Sequence, residues 1–292
     1  MTAIQWTDET WNPTTGCTRV SEGCRHCYIE RTPPFRMHGR KLGDPVQLHP
    51  DRLDQPLRWT KAHRIFVNSM SDLFHEDVPD EFIDRVFAVM LCSPRHTFQI
   101  LTKRPQRMLD YMMTDNGFGR AGFIWNAAYK VKGIYVPKGK MPPPFPYPHV
   151  HLGVSVEDQA TADERIPILL QTPAAVRFVS AEPLLGPVDI KPYIGTHFCG
   201  SPCSDYIDGH RCDCMNDIPL PSLDWVIAGG ESGPGARACD VAWIRSIVQQ
   251  CKAAGVPIFV KQLGSSHRCS HDSKGGCWEC MPNDLKVREY PR

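Results

Sequence analysis

The sequence predicts an α/β fold, a full or partial parallel (β/α) barrel occupying one domain over residues 1–292 and carrying cysteine-rich insertions. Three observations predict it. Short apolar runs rich in β-branched residues recur along the chain, each closed by polar or Gly/Pro punctuation and followed by a longer stretch with helical spacing. Several runs are apolar at successive residues, as parallel strands covered on both faces require. Polar residues gather at the run ends, where parallel barrels build their sites. With 292 residues, 41% of them hydrophobic and 22% charged, the chain is long enough to bury one large core.

A first strand is expected near the loop that carries Cys17. Ile65-Phe-Val-Asn68 follows, then Thr97-Phe-Gln-Ile-Leu-Thr102, Val150-His-Leu-Gly-Val-Ser-Val156, Val176-Arg-Phe-Val-Ser180, Trp225-Val-Ile-Ala-Gly-Gly230 and Pro257-Ile-Phe-Val-Lys261. Helices are clearest over Asp80–Met90 and Val241–Gly255, the second with Asp240 as N-cap and Gly255 as C-cap. Six or seven such units make a full or partial barrel. Residues 116–148 break the rhythm and include Pro142-Pro-Pro-Phe-Pro-Tyr-Pro148, which sustains neither helix nor central strand, so a loop insertion or lid is expected there. Residues 195–221 read as a cysteine-rich insertion and 265–292 as a cysteine-rich C-terminal tail.

The net charge of +1 and the mixing of charges exclude a whole-chain electrostatic footprint for nucleic acid, so any basic groove is local. No run of about 18 apolar residues occurs, and the N-terminus lacks the basic-then-apolar order of an export signal. A cytoplasmic protein with no membrane partner is expected. Its 13 cysteines fall mostly in tight groups, which in a large chain without an export signal points to metal ligation rather than disulfides. Cys92, Cys239 and Cys251 stand alone as small core residues.

The strongest local signal is Trp11-Asn-Pro-Thr-Thr-Gly-Cys17-Thr-Arg-Val-Ser-Glu-Gly-Cys24-Arg-His-Cys27-Tyr28. Three thiolates at that spacing can converge on one metal centre. A structural zinc wants a fourth protein ligand, and His26 is awkwardly placed between two cysteines. An iron–sulfur cubane with three cysteine ligands and one open iron fits the count better. Cys199, Cys203, Cys212 and Cys214 offer four thiolates to a second metal, and Cys269, Cys277 and Cys280 offer three more beside the imidazoles of His267 and His271. Zinc is the first expectation for both groups.

Polar residues close nearly every strand: Asn68-Ser69-Met-Ser-Asp72, Thr102-Lys103-Arg104, Ser155-Val-Glu157, Ser180-Ala-Glu182, Gly229-Gly230-Glu231 and Lys261-Gln262. Six strand ends converge on one mouth. These residues, with Trp11-Asn-Pro13, the three cysteines, Asn68–His75, Leu101–Pro105, Gly153–Glu157, Ser180–Gly186, Val226–Pro234 and Val260–Gln262, resemble a family of phage-associated radical-S-adenosylmethionine-like proteins of unknown function. Through that family the chain resembles the radical S-adenosylmethionine superfamily. The resemblance covers most of the chain. It departs from the superfamily in the cluster spacing, Cys-x6-Cys-x2-Cys here against the usual Cys-x3-Cys-x2-Cys.

The resemblance implies a radical-SAM-type barrel with a [4Fe-4S] cluster on Cys17, Cys24 and Cys27. S-adenosylmethionine would sit on the open iron and be cleaved by one electron to a 5′-deoxyadenosyl radical, the protein binding and shielding it. His26 corresponds to an aromatic near the adenine. Asn68, Ser69 and Asp72 match the place where the cofactor's amino group is held, Ser155 and Glu157 its ribose or carboxylate contacts, and Gly229, Gly230 and Glu231 its adenine edge. Lys103, Glu182 and Lys261, with Arg104 and Gln262, are left as the catalytic and substrate-facing set. Pairing of Lys103 or Lys261 with Glu182 or Glu231, simply to hold the barrel, is the competing expectation.

Implied partners are a flavodoxin- or ferredoxin-like electron donor and a nucleic-acid-related substrate, with DNA base modification or repair as the activity, in a bacterial or phage-infected cell. A duplex substrate would require base flipping into the mouth. The alternative is a cluster- or zinc-binding barrel with a structural, sensing or partner-binding role and no turnover.

Overall fold

The computed structural model describes residues 4–32, 35, 37, 39–115, 119–135, 137, 139–195 and 221–291. Nine strands are present among them: β1 (Glu9–Trp11), β2 (Thr14–Thr15), β3 (Gln47–Leu48), β4 (Arg64–Val67), β5 (Thr97–Thr102), β6 (Val150–Val156), β7 (Val176–Ala181), β8 (Trp225–Gly229) and β9 (Ile258–Gln262). β2 and β3 form a small antiparallel pair, while the other seven form one all-parallel sheet in the order β1-β4-β5-β6-β7-β8-β9. Sequential order and uniform direction are the pattern of a singly wound barrel. No ladder joins β1 to β9, so the sheet is an open half-barrel, the partial form of the expected fold.

The curl is visible in one side chain. In a flat sheet, β4 and β8 would lie about 19 Å apart, four spacings of about 4.8 Å. Trp6 nevertheless packs on Phe66 of β4 at 4.7 Å and Trp225 of β8 at 6.2 Å between ring centroids. With Phe178, Ile227 and Phe259 these rings fill the concave face and form an apolar floor. Their neighbours in sequence, such as Ile65, Val67, Val179, Val226, Ile258 and Val260, face the other way into the larger core. This strict two-residue alternation is what a curled sheet covered on both faces demands.

That outer core is covered by α1 (Asp80–Leu91), α2 (Pro105–Met113), α3 (Gly119–Ala128), α4 (Gln159–Gln171) and α5 (Val241–Ala254). The predicted caps of α5 are in place: the Asp240 carboxylate accepts from Ala242 N at 2.8 Å, and Gly255 is left-handed with φ 68°. The expectation of a loop throughout 116–148 is corrected by α3, whose Ile124, Ala127 and Ala128 are buried. Two glycines and an irregular apolar pattern hid this helix. The proline-rich remainder carries no helix or strand among its described residues before β6. No helix of the described residues is long and apolar enough to cross a membrane.

Candidate functional site at the open end of the half-barrel

Because the strands are parallel and the sheet curls, the inward-facing residues stack in layers from the aromatic floor to the C-terminal rim. Gly153 lies beside Phe178 in register, and a Cβ there would come within 2.6 Å of the Phe178 ring. One layer higher Ser155 pairs with Ser180, and above that come Glu157 and Glu182. Lys103, Gly229 and Lys261 end the flanking strands at the same rim. The expected convergence of strand ends is present.

The rim is densely ion-paired. Glu157, almost fully buried, receives Lys103 Nζ, Arg165 Nη1 at 3.3 Å and the Ser21 hydroxyl at 3.0 Å. Glu182 accepts from Lys261 Nζ at 2.6 Å and Gln262 Nε2 at 3.2 Å. The competing expectation for Lys261 thus holds, whereas Lys103 takes Glu157, not Glu182 or Glu231. Asp72 accepts from the Thr102 hydroxyl at 2.8 Å, Lys103 N at 3.1 Å, Phe74 N at 3.0 Å and Arg104 Nη1 at 3.3 Å. Those four donors account for the bonding capacity of its carboxylate. Asn68 sits at φ 60° with Oδ1 accepting from Thr14 N at 3.3 Å, while its buried Nδ2 has no hydrogen-bond partner among the described residues. Ser69 donates to Asn12 Oδ1 at 3.2 Å, and its carbonyl accepts from the Tyr28 hydroxyl.

The cysteine loop caps this rim. Gly16 N donates to Met70 O at 3.1 Å, and Ser71 donates back to Gly16 O at 2.7 Å. Thr18 is held by Arg104 at 2.6 Å and by the buried His75 at 3.0 Å. Gly23 packs directly on the Glu157 side chain, leaving no room for a Cβ. On the far side His26 Nδ1 meets Glu231 at 3.1 Å, and Arg237 binds Glu231 at 2.7 Å while donating to Glu22 O at 3.0 Å. Burial works to raise the Glu231 carboxyl, but the Arg237 and His26 hydrogen bonds outweigh it and hold it down at about 2.

Cys17, Cys24 and Cys27 are free thiols on this loop. Burial, reinforced by Asp72, pushes Cys17 up to about 12, although Arg104 Nη1 lies 3.8 Å from its sulfur; burial also raises Cys27. Ionising them requires a positive centre nearby, such as a metal. His26 is turned to Glu231, and Gly230 is a glycine for packing, since a Cβ would strike Leu263 O. Gly229 is bounded by Glu182 and Gln262. Cys199, Cys203, Cys212 and Cys214 lie outside the described residues. Cys269, Cys277 and Cys280 come together with His271, their donor atoms within 4.8 Å of one another, and could hold a metal ion such as zinc.

Arg165 and Arg237 were not foreseen, nor was the contact of Arg104 with the cysteine loop at Cys17 and Thr18. Arg165 reaches Glu157 and Ser155 O from α4, and Arg237 reaches Glu231 from a turn, neither at a spacing that a sequence pattern marks. No curated protein and no solved structure matches the chain. The profile of one family, described as a protein of unknown function (DUF5131), matches residues 1–282, and the chain belongs to that family.

Proposed function

We propose that the protein is an iron–sulfur, S-adenosylmethionine-dependent radical enzyme acting on a polar or anionic, nucleic-acid-related substrate. The observation that carries this reading is the placement of three free thiols, Cys17, Cys24 and Cys27, on one loop over the polar end of a parallel half-barrel. Three cysteine ligands leave one iron of a cubane open, whereas a structural zinc would want a fourth protein ligand. When bound, the cluster and S-adenosylmethionine would supply one-electron cleavage of a sulfonium C–S bond.

In this reading the chain's own residues bind, orient and exclude water. Arg104 anchors Cys17 and Thr18, while Glu157 and Glu231 fix the two ends of the loop through Ser21 and His26. The orphan Asn68 Nδ2 is a donor, so it suits a carboxylate or hydroxyl of the cofactor rather than its amino group. Lys103, Glu182 and Lys261 stand at the rim, where their ion pairs must open or share to receive a substrate. The aromatic floor closes the other end against solvent.

The same closed ion pairs favour a second reading, a cluster-bearing barrel that senses or docks and has no turnover. Anaerobic reconstitution separates the two. The first reading expects about four irons and four sulfides per cluster site, an electron paramagnetic resonance signal that changes on adding S-adenosylmethionine, and 5′-deoxyadenosine on reduction. A cluster indifferent to S-adenosylmethionine supports the second, and iron content unchanged by replacing Cys17, Cys24 and Cys27 with Ala refutes the site.

A further inference from the structure

The chain leaves β9 through Gly264 and folds a compact turn around Cys269, His271, Cys277 and Cys280. His271 Nδ1 lies 3.8 Å from Cys277 Sγ and 3.6 Å from Cys280 Sγ. A tetrahedral zinc, with Zn–S about 2.3 Å and Zn–N about 2.0–2.1 Å, places such donors about 3.5–3.8 Å apart. The donors therefore already stand at the spacing of a single zinc ion. His267, the other imidazole here, is engaged elsewhere, at 2.8 Å from Cys239 O. Backbone bonds hold the ligands in place: Cys269 N donates to Asp272 O at 3.0 Å, Gly276 N to Asp272 Oδ2 at 2.6 Å, and Met281 N to Cys277 O at 3.0 Å.

The chain beyond the turn crosses the open side of the half-barrel. Leu263 N donates to Gly275 O, tying the turn to the end of β9. Val260 N then donates to Val287 O at 2.9 Å and Glu289 N to Ile258 O at 3.0 Å, so the tail adds an antiparallel strip to the free edge of β9. From that strip Arg288 reaches Gln5 Oε1 at 3.0 Å. Tyr290 packs on Trp225 and Phe259 and lies under Arg64 of β4, at 4.0 Å from ring to guanidinium. One strip thus touches β9, the N-terminal segment and the start of β4, elements on opposite sides of the gap.

The geometry points to a closed structural zinc site on Cys269, His271, Cys277 and Cys280 that staples this strip across the seam of the half-barrel. Four protein ligands leave no open position for catalysis. The site is independent of any cluster on the other loop. Exposure of His271 and Cys280 lets it load without opening the core.

The test uses the full chain expressed with zinc, with metal content measured by mass spectrometry. The Cys277→Ser/Cys280→Ser double variant is expected to lose about one zinc per chain relative to wild type; Cys17→Ala and His267→Ala are expected to keep it. Cobalt(II) in the wild type should give the intense visible bands of tetrahedral thiolate ligation, weakened by one site's worth in the double variant. Chelation of the wild-type zinc should speed amide exchange at Val260 and Glu289 at least about tenfold and lower the Tm by about 5–10 °C. Equal zinc in wild type and double variant overturns the site. Metal loss without faster exchange at those two amides overturns the staple, and because chelation is done on wild type, a misfolded variant does not obscure that result.

Discussion

Replacing Arg104 by Met removes the guanidinium that joins the cysteine loop to the barrel rim. The side chain is buried and contacts Asp72, Thr18 and Cys17, with Glu76 at 3.0 Å on the solvent side. Glu76 is exposed and screened, so its share is small. Asp72 is only 5% exposed, and removing one member of a buried pair costs about 3–5 kcal/mol because the other charge is stranded. The Thr102 hydroxyl and the Lys103 and Phe74 amides remain on Asp72, which places the cost near the lower bound, about 3 kcal/mol. At about 2–4 °C per kcal/mol, the Tm should fall by about 6–12 °C. Adding Asp72→Asn relieves the stranded charge, so the double variant should be more stable than the sum of the two singles by about 1–3 kcal/mol. Urea titrations of the four proteins measure this coupling. Strict additivity would refute the claim that Arg104 acts through Asp72.

Two further outcomes test the packing and the electrostatics of the same rim. Gly153→Ala should cost about 1–3 kcal/mol, because its Cβ meets a Phe178 ring held between Trp6 and Trp225; Phe178→Leu in that background should recover part of it, and a neutral Gly153→Ala would contradict the inward register. Glu231 has its folded carboxyl depressed, so its stabilisation is complete above the unfolded value near 4.5 and is lost as pH falls towards about 2. That loss amounts to about 3 kcal/mol. Glu231→Gln should therefore be less stable than wild type at pH 7 and lose less on acidification; parallel pH profiles would show that Arg237 and His26 do not hold the charge.

The order and direction of the β/α units were legible in the residues because hydrophobic periodicity is local. Thr97–Thr102 and Val150–Val156 match their strands at both ends, and the α5 caps follow from Asp240 and Gly255 alone. The helix α3 was not legible: Gly119 and Gly122 weaken its propensity, and its burial comes from α1, far away in sequence. At the rim, residue types were readable but their partners were not. The competing expectation paired Lys103 or Lys261 with Glu182 or Glu231, and Lys103 meets Glu157 instead, because the neighbour of β5 in the sheet is β6.

Most of the strands, the clearest helices, the cysteine loop and the polar strand ends were thus written locally in the residues, because each depends on neighbours within a turn or a strand. The three-dimensional fold alone set how far the sheet curls, bringing strands four places apart onto Trp6. It also decided that His271, not His267, joins the three C-terminal cysteines. Partner choice among like side chains is set by the path of the backbone in space, and spacing along the chain carries no record of it.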